Sequence, residues 1–478
     1  MAETQIETEQ HTGAVDRYFE ITKRGSTLGR EVRGGIVTFV TMAYIVVLNP
    51  IILSSGVDIN GDSLGFVQVS AVTALTAGMM TILFGLVSRL PFAFAAGLGI
   101  NSFLAFSVVG QVTWPEAMAI VVINGVLIVL LAATGLRRMI FDAVPMQLKV
   151  AITVGIGLFI AFIGFVNAGL ITSTGVPSPP VGLGQFGSVA TVPTLLFVFT
   201  LVLTGILVAR KVRGGLLIGL VAGTLLAVIV EAIWKLGSAV DNPGGWGLTV
   251  PALQGSPFSV PDLSLVGQVS FDFGKVGVIT LVMLVFTLLF TNFFDAMGTF
   301  TGLSREAGLA DEQGNFPRLK SALVVEGVGA IAGGLTSSSS NTVFIESGSG
   351  IGEGARTGFA NLITGALFLL AMFFTPLTQI VPTEVAAAAL VVVGAMMMTQ
   401  IKGIDLTSFD VALPVFLTVT VMPLSYSIAN GIGAGFVSWV IIRAFSGKAR
   451  EIHWLLWVVA AGFVVYFARG PIEMMIAS

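Results

Sequence analysis

Long apolar runs separated by short polar segments are the dominant pattern of this chain. A membrane-spanning helix needs about 20 mainly apolar residues, and about fourteen stretches meet that requirement. The stretches near residues 95, 330, 345 and 415 are short or interrupted by Gly, Ser or Pro. The predicted spans are 35–55, 65–87, 91–110, 116–135, 146–167, 191–209, 214–234, 276–303, 320–335, 339–355, 357–380, 385–400, 409–425 and 427–446. The pattern predicts an all-α polytopic membrane protein.

Basic residues between the apolar runs give the spans a direction. With the N-terminus inside the cell, 20 of the 23 Lys and Arg residues fall in cytoplasmic segments, as the positive-inside rule requires. Lys235 and Lys275 fall outside, and Arg469 lies beyond the assigned spans. If one span were miscounted, every later loop would be assigned to the wrong side of the membrane, and the excess of basic residues on one side would be lost. The charges therefore predict a multi-pass cell-membrane protein with both ends of its fourteen-span region in the cytoplasm.

The segments outside the spans differ in character along the chain. The first ~35 residues are polar and charged, unlike a signal peptide, and we expect residues 1–16 to be disordered. The external loops 168–190 and 236–275 are long and rich in Gly and Pro. Residues 454–468 are apolar but short, so they fit an interfacial helix or an extra span. We favour a peripheral element, because fourteen spans already satisfy the charge pattern.

Composition narrows the class of protein and the kinds of site. Of 478 residues, 55% are hydrophobic and 10% are charged, against roughly 25% charged in soluble proteins. The net charge of −3 points to neither nucleic acid nor an acidic partner. Cysteine is absent, and His11 and His453 lie outside the strongest apolar runs. We therefore expect no metal and no cofactor.

Nucleotide-binding motifs are weak in this sequence. No GxxxxGK[ST] phosphate loop occurs. The run from Gly182 to Gly187 matches GxGxxG, but it lies in a predicted external loop without the strand and helix that this motif requires. We interpret these residues as loop glycines.

A faint repeat relates the two halves of the chain. Three small-residue features recur after 249 residues: Gly78, Gly85-Leu86-Val87-Ser88 and Gly99 return as Gly327, Gly334-Leu335-Thr336-Ser337 and Gly348. Seven spans per half is an odd number, so the two halves have opposite orientations in the membrane. The sequence thus predicts a 7+7 inverted repeat, which places Gly97 opposite Glu346.

The two aligned segments are unusual membrane helices. Residues 91–96 and 341–345 read as short extended runs, and each is followed by a Gly-rich turn into a helix. A strand followed by a half-helix fits both. Interrupted helices at matching places in inverted repeats are the best pointer to a transporter's central site, and their starts offer unpaired N–H groups and partial positive charge.

Two acids fall within these apolar stretches, Asp295 in the eighth span and Glu346 at the second half-helix start. An ionisable group at the bilayer centre costs at least ~2.5–3.5 kcal/mol, so it indicates function by default. Thr299 lies four residues after Asp295 and shares its helix face. The structural alternatives are a capping or interface role for Asp295 and helix-start stabilisation for Glu346.

Other polar residues in the spans have weaker claims. Glu326 is a third membrane acid, equally compatible with a structural role. Asn101 is a candidate for a hydrogen bond into a cavity, or for linking two helices. Residues 337–340 are four serines that we expect to support the broken segment instead of binding ligand.

Four motifs carry a family resemblance. They are Thr41-Met42-Ala43-Tyr44-Ile45-Val46-Val47-Leu48-Asn49-Pro50, Ala96-Gly97-Leu98-Gly99-Ile100-Asn101-Ser102-Phe103, Phe294-Asp295-Ala296-Met297-Gly298-Thr299 and Asn341-Thr342-Val343-Phe344-Ile345-Glu346-Ser347. These runs resemble the AzgA-like purine permeases, a branch of the nucleobase–ascorbate transporter group. The resemblance extends over roughly residues 20–450. It implies a 7+7 inverted repeat, proton symport and a homodimer.

The resemblance also implies a domain organisation. The expected parts are a cytoplasmic tail (1–29), a core domain (30–138 and 276–380), a gate domain (139–275 and 381–450) and a C-terminal peripheral segment (451–478).

The same resemblance assigns roles at the site. Asp295 and Glu346 are the implied substrate-binding acids. Thr299 falls where uracil-type relatives have a histidine. The backbone around Leu98, including Gly97, together with Asn101, closes the pocket, and Ser347 adjoins Glu346. One departure is Ala296, where a small hydroxyl residue is expected more often.

The implied substrate is hypoxanthine, guanine or adenine in preference to uracil or xanthine. A purine edge carries ring N–H donors for a carboxylate and acceptors for half-helix N–H groups. Glu346 and Asp295 are both candidates to carry the coupled proton, and the sequence leaves that choice open. An ion channel or anion exchanger on the same scaffold is the alternative, although it would more often place a basic residue at the broken helices. A transporter for xanthine or uracil is another alternative, and no nucleophile–base signature favours a membrane enzyme.

Overall fold

The computed structural model describes residues 13–134, 143–184, 189, 191–247, 249–252, 256–274, 276–310 and 316–468. Residues 1–12 of the tail, residues 185–187 of the glycine-rich loop, and Lys275 and Arg469 lie outside the described residues, as do the side chains of Phe294 and Met297.

The described chain is mostly helical. The helices are α1 (Ala14–Phe19), α2 (Leu28–Met42), α3 (Ile45–Ser54), α4 (Phe66–Ser88), α5 (Leu98–Phe103), α6 (Trp114–Thr134), α7 (Met146–Asn167), α8 (Val192–Ala209), α9 (Gly215–Trp234), α10 (Val278–Glu306), α11 (Leu319–Leu335), α12 (Ser347–Gly352), α13 (Phe359–Ala371), α14 (Thr383–Met398), α15 (Phe409–Leu424), α16 (Ile428–Arg443) and α17 (Trp454–Phe467). A π-helical turn (Leu104–Val108) extends α5, and 3₁₀ segments follow α13 (Met372–Ile380) and α14 (Thr399–Gly403). After α16 come a π-helical turn (Ala444–Lys448) and a 3₁₀ turn (Ala449–Glu451). The strands are β1 (Phe94–Ala96), β2 (Ile171–Ser173), β3 (Val181–Leu183) and β4 (Asn341–Val343).

Apolar run length set most of these elements. Each predicted span coincides with a helix or with a strand followed by a helix, and α7 reproduces the predicted 146–167. Within the described residues, nine helices are long and apolar enough to cross a membrane, counting α2 and α3 as one. The chain is therefore a multi-pass membrane protein.

The helices pack in two groups. The first bundle contains α2–α6 and α10–α13 with β1 and β4, and its closest pairings are α6 with α11 and α4 with α13. The second bundle contains α7–α9 and α14–α16, where α7 lies between α14 and α15. Helices α5 and α10 of the first bundle contact α7, and the bundles also meet where α3 contacts α14 and α2 contacts α9.

A two-stranded ribbon lies at the centre of the first bundle. Strands β1 and β4 pair antiparallel, with Phe94 opposite Val343 and Ala96 opposite Asn341, and every residue of both strands is buried. Helix α5 begins two residues after β1, and α12 begins four residues after β4. The predicted strand and half-helix are present in both segments, and the antiparallel pairing places the two helix starts at opposite ends of one short ribbon.

An ionic contact joins the two bundles at one end. Glu353, which ends α12, pairs with Arg33 of α2 (2.9 Å between Nε and Oε2) and with Arg213 between α8 and α9. The Glu353 side chain is 7% exposed, whereas the arginine side chains are 62% and 69% exposed. A nearly buried carboxylate thus bridges α12 to the second bundle.

Helix α17 packs against both bundles. It contacts α16 of the second bundle and α10 of the first. The Phe463 ring meets Phe436 of α16 and Phe286 of α10 at centroid distances of 6.3 and 5.8 Å. The prediction that residues 451–478 are peripheral to the membrane stays a prediction.

Candidate functional site

Glu346 lies in the turn between β4 and α12. Its backbone is already helical (φ −60°, ψ −17°), and its side chain is partly exposed. Ile345, directly before it, is 53% exposed, so this segment borders space that protein atoms do not fill. Glu346 therefore lies beside this unfilled space in an otherwise buried region.

Tyr44 holds the Glu346 carboxylate. Its hydroxyl donates a short hydrogen bond to Glu346 Oε1, and the ring is 1% exposed. Tyr44 lies at the break between α2 and α3, where Thr41 Oγ1 also donates to the Glu346 backbone oxygen (3.4 Å). This break fixes Glu346 at both its main chain and its side chain.

Asp295 faces the same region from α10. Helix α10 contacts both α12 and β4, and Asp295 and Glu346 are close enough to interact electrostatically. Asp295 is partly exposed, whereas its neighbours Phe293 and Ala296 are 2% and 0% exposed. The structure thus brings the two predicted acids together at the ribbon. Thr299 lies one turn beyond and donates to the Asp295 backbone oxygen (2.9 Å).

The start of α5 forms the opposite side of the site. Gly97 precedes the helix, and its N–H donates to Ser340 O on the other strand segment (3.0 Å). Asn101 N donates to Gly97 O (2.9 Å), which leaves the N–H groups of Leu98 and Gly99 outside the helical ladder. The Asn101 side chain is fully buried, and neither of its amide atoms has a partner among the described residues.

The two helix starts are not equivalent. In α12, Ser347 N donates to Phe344 O, and Gly348 N donates to Ile345 O (3.2 and 2.9 Å). The first N–H groups of α12 are therefore engaged by the preceding turn, and the expectation of free donors holds only at α5. The Ser347 hydroxyl is also occupied, since it accepts from Ala93 N (2.9 Å) and donates to Phe344 O (2.7 Å).

The serine run supports the ribbon. Ser340 Oγ accepts from Asn292 of α10 (2.9 Å), and Ser338 Oγ accepts from Asn341 (3.1 Å). The Ser338 carbonyl accepts from Asn49 of α3 (3.0 Å).

The third membrane acid, Glu326, is fully buried within α11. Among the described residues, no group of three or more His, Cys, Asp or Glu side chains is placed to hold a metal ion.

Sequence reasoning did not identify Tyr44 as a site residue. The signal was present, because Thr41, Tyr44 and Asn49 are the polar side chains in the apolar run from Thr41 to Pro50. The contact itself joins residues 302 positions apart, and such a separation is not readable from one sequence.

Paired acids beside two interrupted helices, inside a multi-pass bundle, define a membrane transporter with a central polar site. A sequence model of the Permease family matches residues 29–434. The chain belongs to this family, which is the nucleobase–ascorbate transporter family, and it is a transporter and not an enzyme.

Named relatives match nearly the whole chain. The guanine/hypoxanthine permease PbuG of Bacillus subtilis is 37% identical over 94% of this chain and 98% of its own. The adenine permease AdeP of Escherichia coli is 35% identical over 95% and 98%. Among solved structures, the transmembrane domain of the cyanobacterial bicarbonate transporter BicA aligns with a TM-score of 0.62 at 16% identity, over 85% of this chain and 97% of that one. This last likeness concerns the fold alone.

Proposed function

We propose that this protein imports purine nucleobases, namely hypoxanthine, guanine or adenine, together with protons by alternating access. The observation that carries the proposal is the pair Asp295 and Glu346 at the β1–β4 ribbon, with Glu346 held by Tyr44. The relatives named as guanine/hypoxanthine and adenine permeases support the same substrate class.

The architecture that we propose has fourteen spans in a 7+7 inverted repeat. The antiparallel ribbon supports it, because β1 and β4 come from opposite halves and each precedes a short helix. The first bundle corresponds to the core domain and the second to the gate domain. The charge pattern supports a cytoplasmic location for both ends of the proposed fourteen-span region, and the proposed assembly is a homodimer.

The chemistry of the site suits a neutral purine. Tyr44 occupies one oxygen of Glu346, which leaves the other oxygen and Asp295 to accept ring or amino N–H groups. The N–H groups of Leu98 and Gly99 and the amide of Asn101 donate to carbonyl or ring-nitrogen acceptors. An analogue that leaves one of these buried groups unpaired loses ~1–3 kcal/mol, so the site selects by hydrogen-bond pattern.

Proton coupling follows from two carboxyl groups that share one site. When both are ionised, they repel each other, so a proton on either one favours the pair. If a proton binds to this pair together with the purine and is released together with it, the flux of protons across the membrane is coupled to the flux of purine. Either acid is available to carry it.

The test is uptake of radiolabelled hypoxanthine into proteoliposomes, with and without an inward proton gradient. We expect gradient-driven uptake, and loss of uptake in Asp295→Asn and Glu346→Gln variants that still fold. Asp272→Asn, in an exposed loop, is the control and keeps wild-type uptake. Wild-type uptake by both site variants would end the assignment. A panel with uracil, xanthine and bicarbonate distinguishes the alternative substrates.

A further inference from the structure

A cavity lies between the two bundles, and its described lining does not include Asp295 or Glu346. It has a volume of about 360 Å³, within the ~300–1,000 Å³ range of small-molecule sites. Its walls come from the end of α5 and the residues after it, from α10, from the α15–α16 turn and from α17. We call this cavity the vestibule.

Aromatic rings form much of the vestibule wall. Phe103 and Phe106 come from the α5 side, Tyr426 comes from the α15–α16 turn, and Tyr466 and Phe467 come from α17. The Tyr426 ring meets the Phe106 ring edge-on at 5.4 Å. Aromatic faces of this kind stack any planar base, because every base has a π-face.

The backbone is unusual on two sides of the vestibule. Tyr426 has a φ of +52°, a left-handed conformation that bulky residues rarely adopt and that clusters at ligand sites and switch regions. Opposite it, Leu104–Val108 forms a π-helical turn, a feature frequent at functional sites. Tyr426 and, from the π-helical turn, Phe106 and Ser107 all line the cavity.

The polar groups of the vestibule are neutral. Gln111 and Asn430 bring carboxamides to the wall, and Ser107, Ser425 and Ser427 bring hydroxyls. Ser107 Oγ is buried and has no partner among the described residues, and Gln111 uses its Nε2 on the Ser107 carbonyl (2.8 Å). None of the described lining residues carries a formal charge. This lining suits a flat, uncharged ligand with hydrogen-bonding edges, because the Asn430 carboxamide has both a donor and an acceptor and the Gln111 carboxamide oxygen is a further acceptor.

The vestibule is aligned with the central site. Phe103 follows Asn101 by two residues at the end of α5. Leu284 precedes Asp295 by eleven residues on α10, which is three helical turns or about 16 Å along the same helix face. A ligand in the vestibule therefore lies about three helical turns from the acids along α10.

We propose that the vestibule is a second nucleobase-binding site, in which a neutral purine stacks on the aromatic wall and bonds to Gln111 and Asn430 on its way to or from the central site. Helix α17 completes this site through Tyr466 and Phe467. The inference rests on the proposed function, because it takes the same substrate class.

Equilibrium binding of radiolabelled hypoxanthine to the full-length protein in nanodiscs tests it. We expect two classes of site in the wild type and one in the Asp295→Asn/Glu346→Gln double variant. Adding Gln111→Ala or Asn430→Ala weakens the remaining class about tenfold for each hydrogen bond lost. Phe445→Ala, 91% exposed, changes neither class. If the folded double variant binds no hypoxanthine, the vestibule is not a nucleobase-binding site. If the wild type binds none either, the proposed function is refuted as well.

Cysteine protection gives an independent readout, because the chain contains no cysteine. Ser425→Cys places one thiol in the vestibule, and Ser446→Cys, also exposed, is the matched control. In the double-variant background, hypoxanthine should slow maleimide labelling of the first thiol several-fold and leave the second unchanged. Equal labelling rates with and without hypoxanthine at both thiols refute vestibule binding.

Discussion

Replacing Tyr44 by phenylalanine removes one oxygen atom from the central site and so tests whether the Tyr44 hydroxyl positions Glu346. The ring is 1% exposed, so Tyr44→Phe keeps its packing and removes only the hydroxyl that donates to Glu346. A hydrogen bond to a charged group contributes ~1.5–3 kcal/mol. If that bond holds Glu346 in its binding position, hypoxanthine affinity falls about 10- to 150-fold, since 1.4 kcal/mol is a factor of ten.

The assay for Tyr44→Phe is direct hypoxanthine binding, supported by ligand-dependent thermal stabilisation, because a ligand that binds only the folded state raises its stability. Tyr18→Phe is the matched control, since Tyr18 also donates one hydrogen bond, to Leu86 O (2.9 Å), but lies at the partly exposed α1. Tyr18→Phe should bind like the wild type. An affinity of Tyr44→Phe within twofold of the wild type refutes the assignment of Tyr44 as the residue that positions Glu346.

Two further variants address packing and conformational exchange. A Cβ at Gly394 of α14 would lie 2.3 Å from the Gly157 carbonyl of α7, so Gly394→Ala should destabilise the fold by ~1–3 kcal/mol. Gly462→Ala, where a Cβ meets nothing within 4 Å, should not destabilise it; equal unfolding midpoints for the two variants contradict this packing. Arg213→Ala removes one partner of Glu353, which keeps Arg33 as its other partner. The Arg213 side chain is 69% exposed, and an ion pair screened by solvent in this way contributes ~1 kcal/mol or less. We expect uptake turnover to rise by up to about fivefold with unchanged hypoxanthine affinity, while Arg213→Lys stays near the wild type; a large loss of affinity in Arg213→Ala would count against a purely conformational role.

Much of this fold was predictable because membrane helices follow simple rules of length and charge. The strand before each interrupted helix was also predictable, since Gly-rich breaks in apolar runs survive only where the backbone finds partners inside the protein. Asp295 and Glu346 stood out because a charge in an apolar run is costly. The sequence therefore indicated the two strands and the two acids, whereas the pairing of β1 with β4 came from the structure.

The remaining features depend on contacts between distant parts of the chain. Tyr44 reaches Glu346 only because the α2–α3 break packs against α12, which apolar patterning does not encode. The engaged N–H groups of Ser347 and Gly348 arise because the turn before α12 is already helical. The sequence predicts a peripheral segment after α16 because fourteen spans already satisfy the charge pattern. The contacts of α17 with α10 and α16 depend on side-chain shape, which the charge pattern does not encode.

The pairing of β1 with β4 limits how this molecule is able to move. Since both interrupted helices begin from one hydrogen-bonded ribbon, we expect the ribbon and these two helices to move as a single rigid unit that carries a ligand bound between them. In the alternating access that we propose, this unit would move against the second bundle, at the interface that includes α7. Substitutions that alter the transport rate without altering substrate affinity should lie at this interface between the bundles. Those that alter affinity should lie in the ribbon and its two helices.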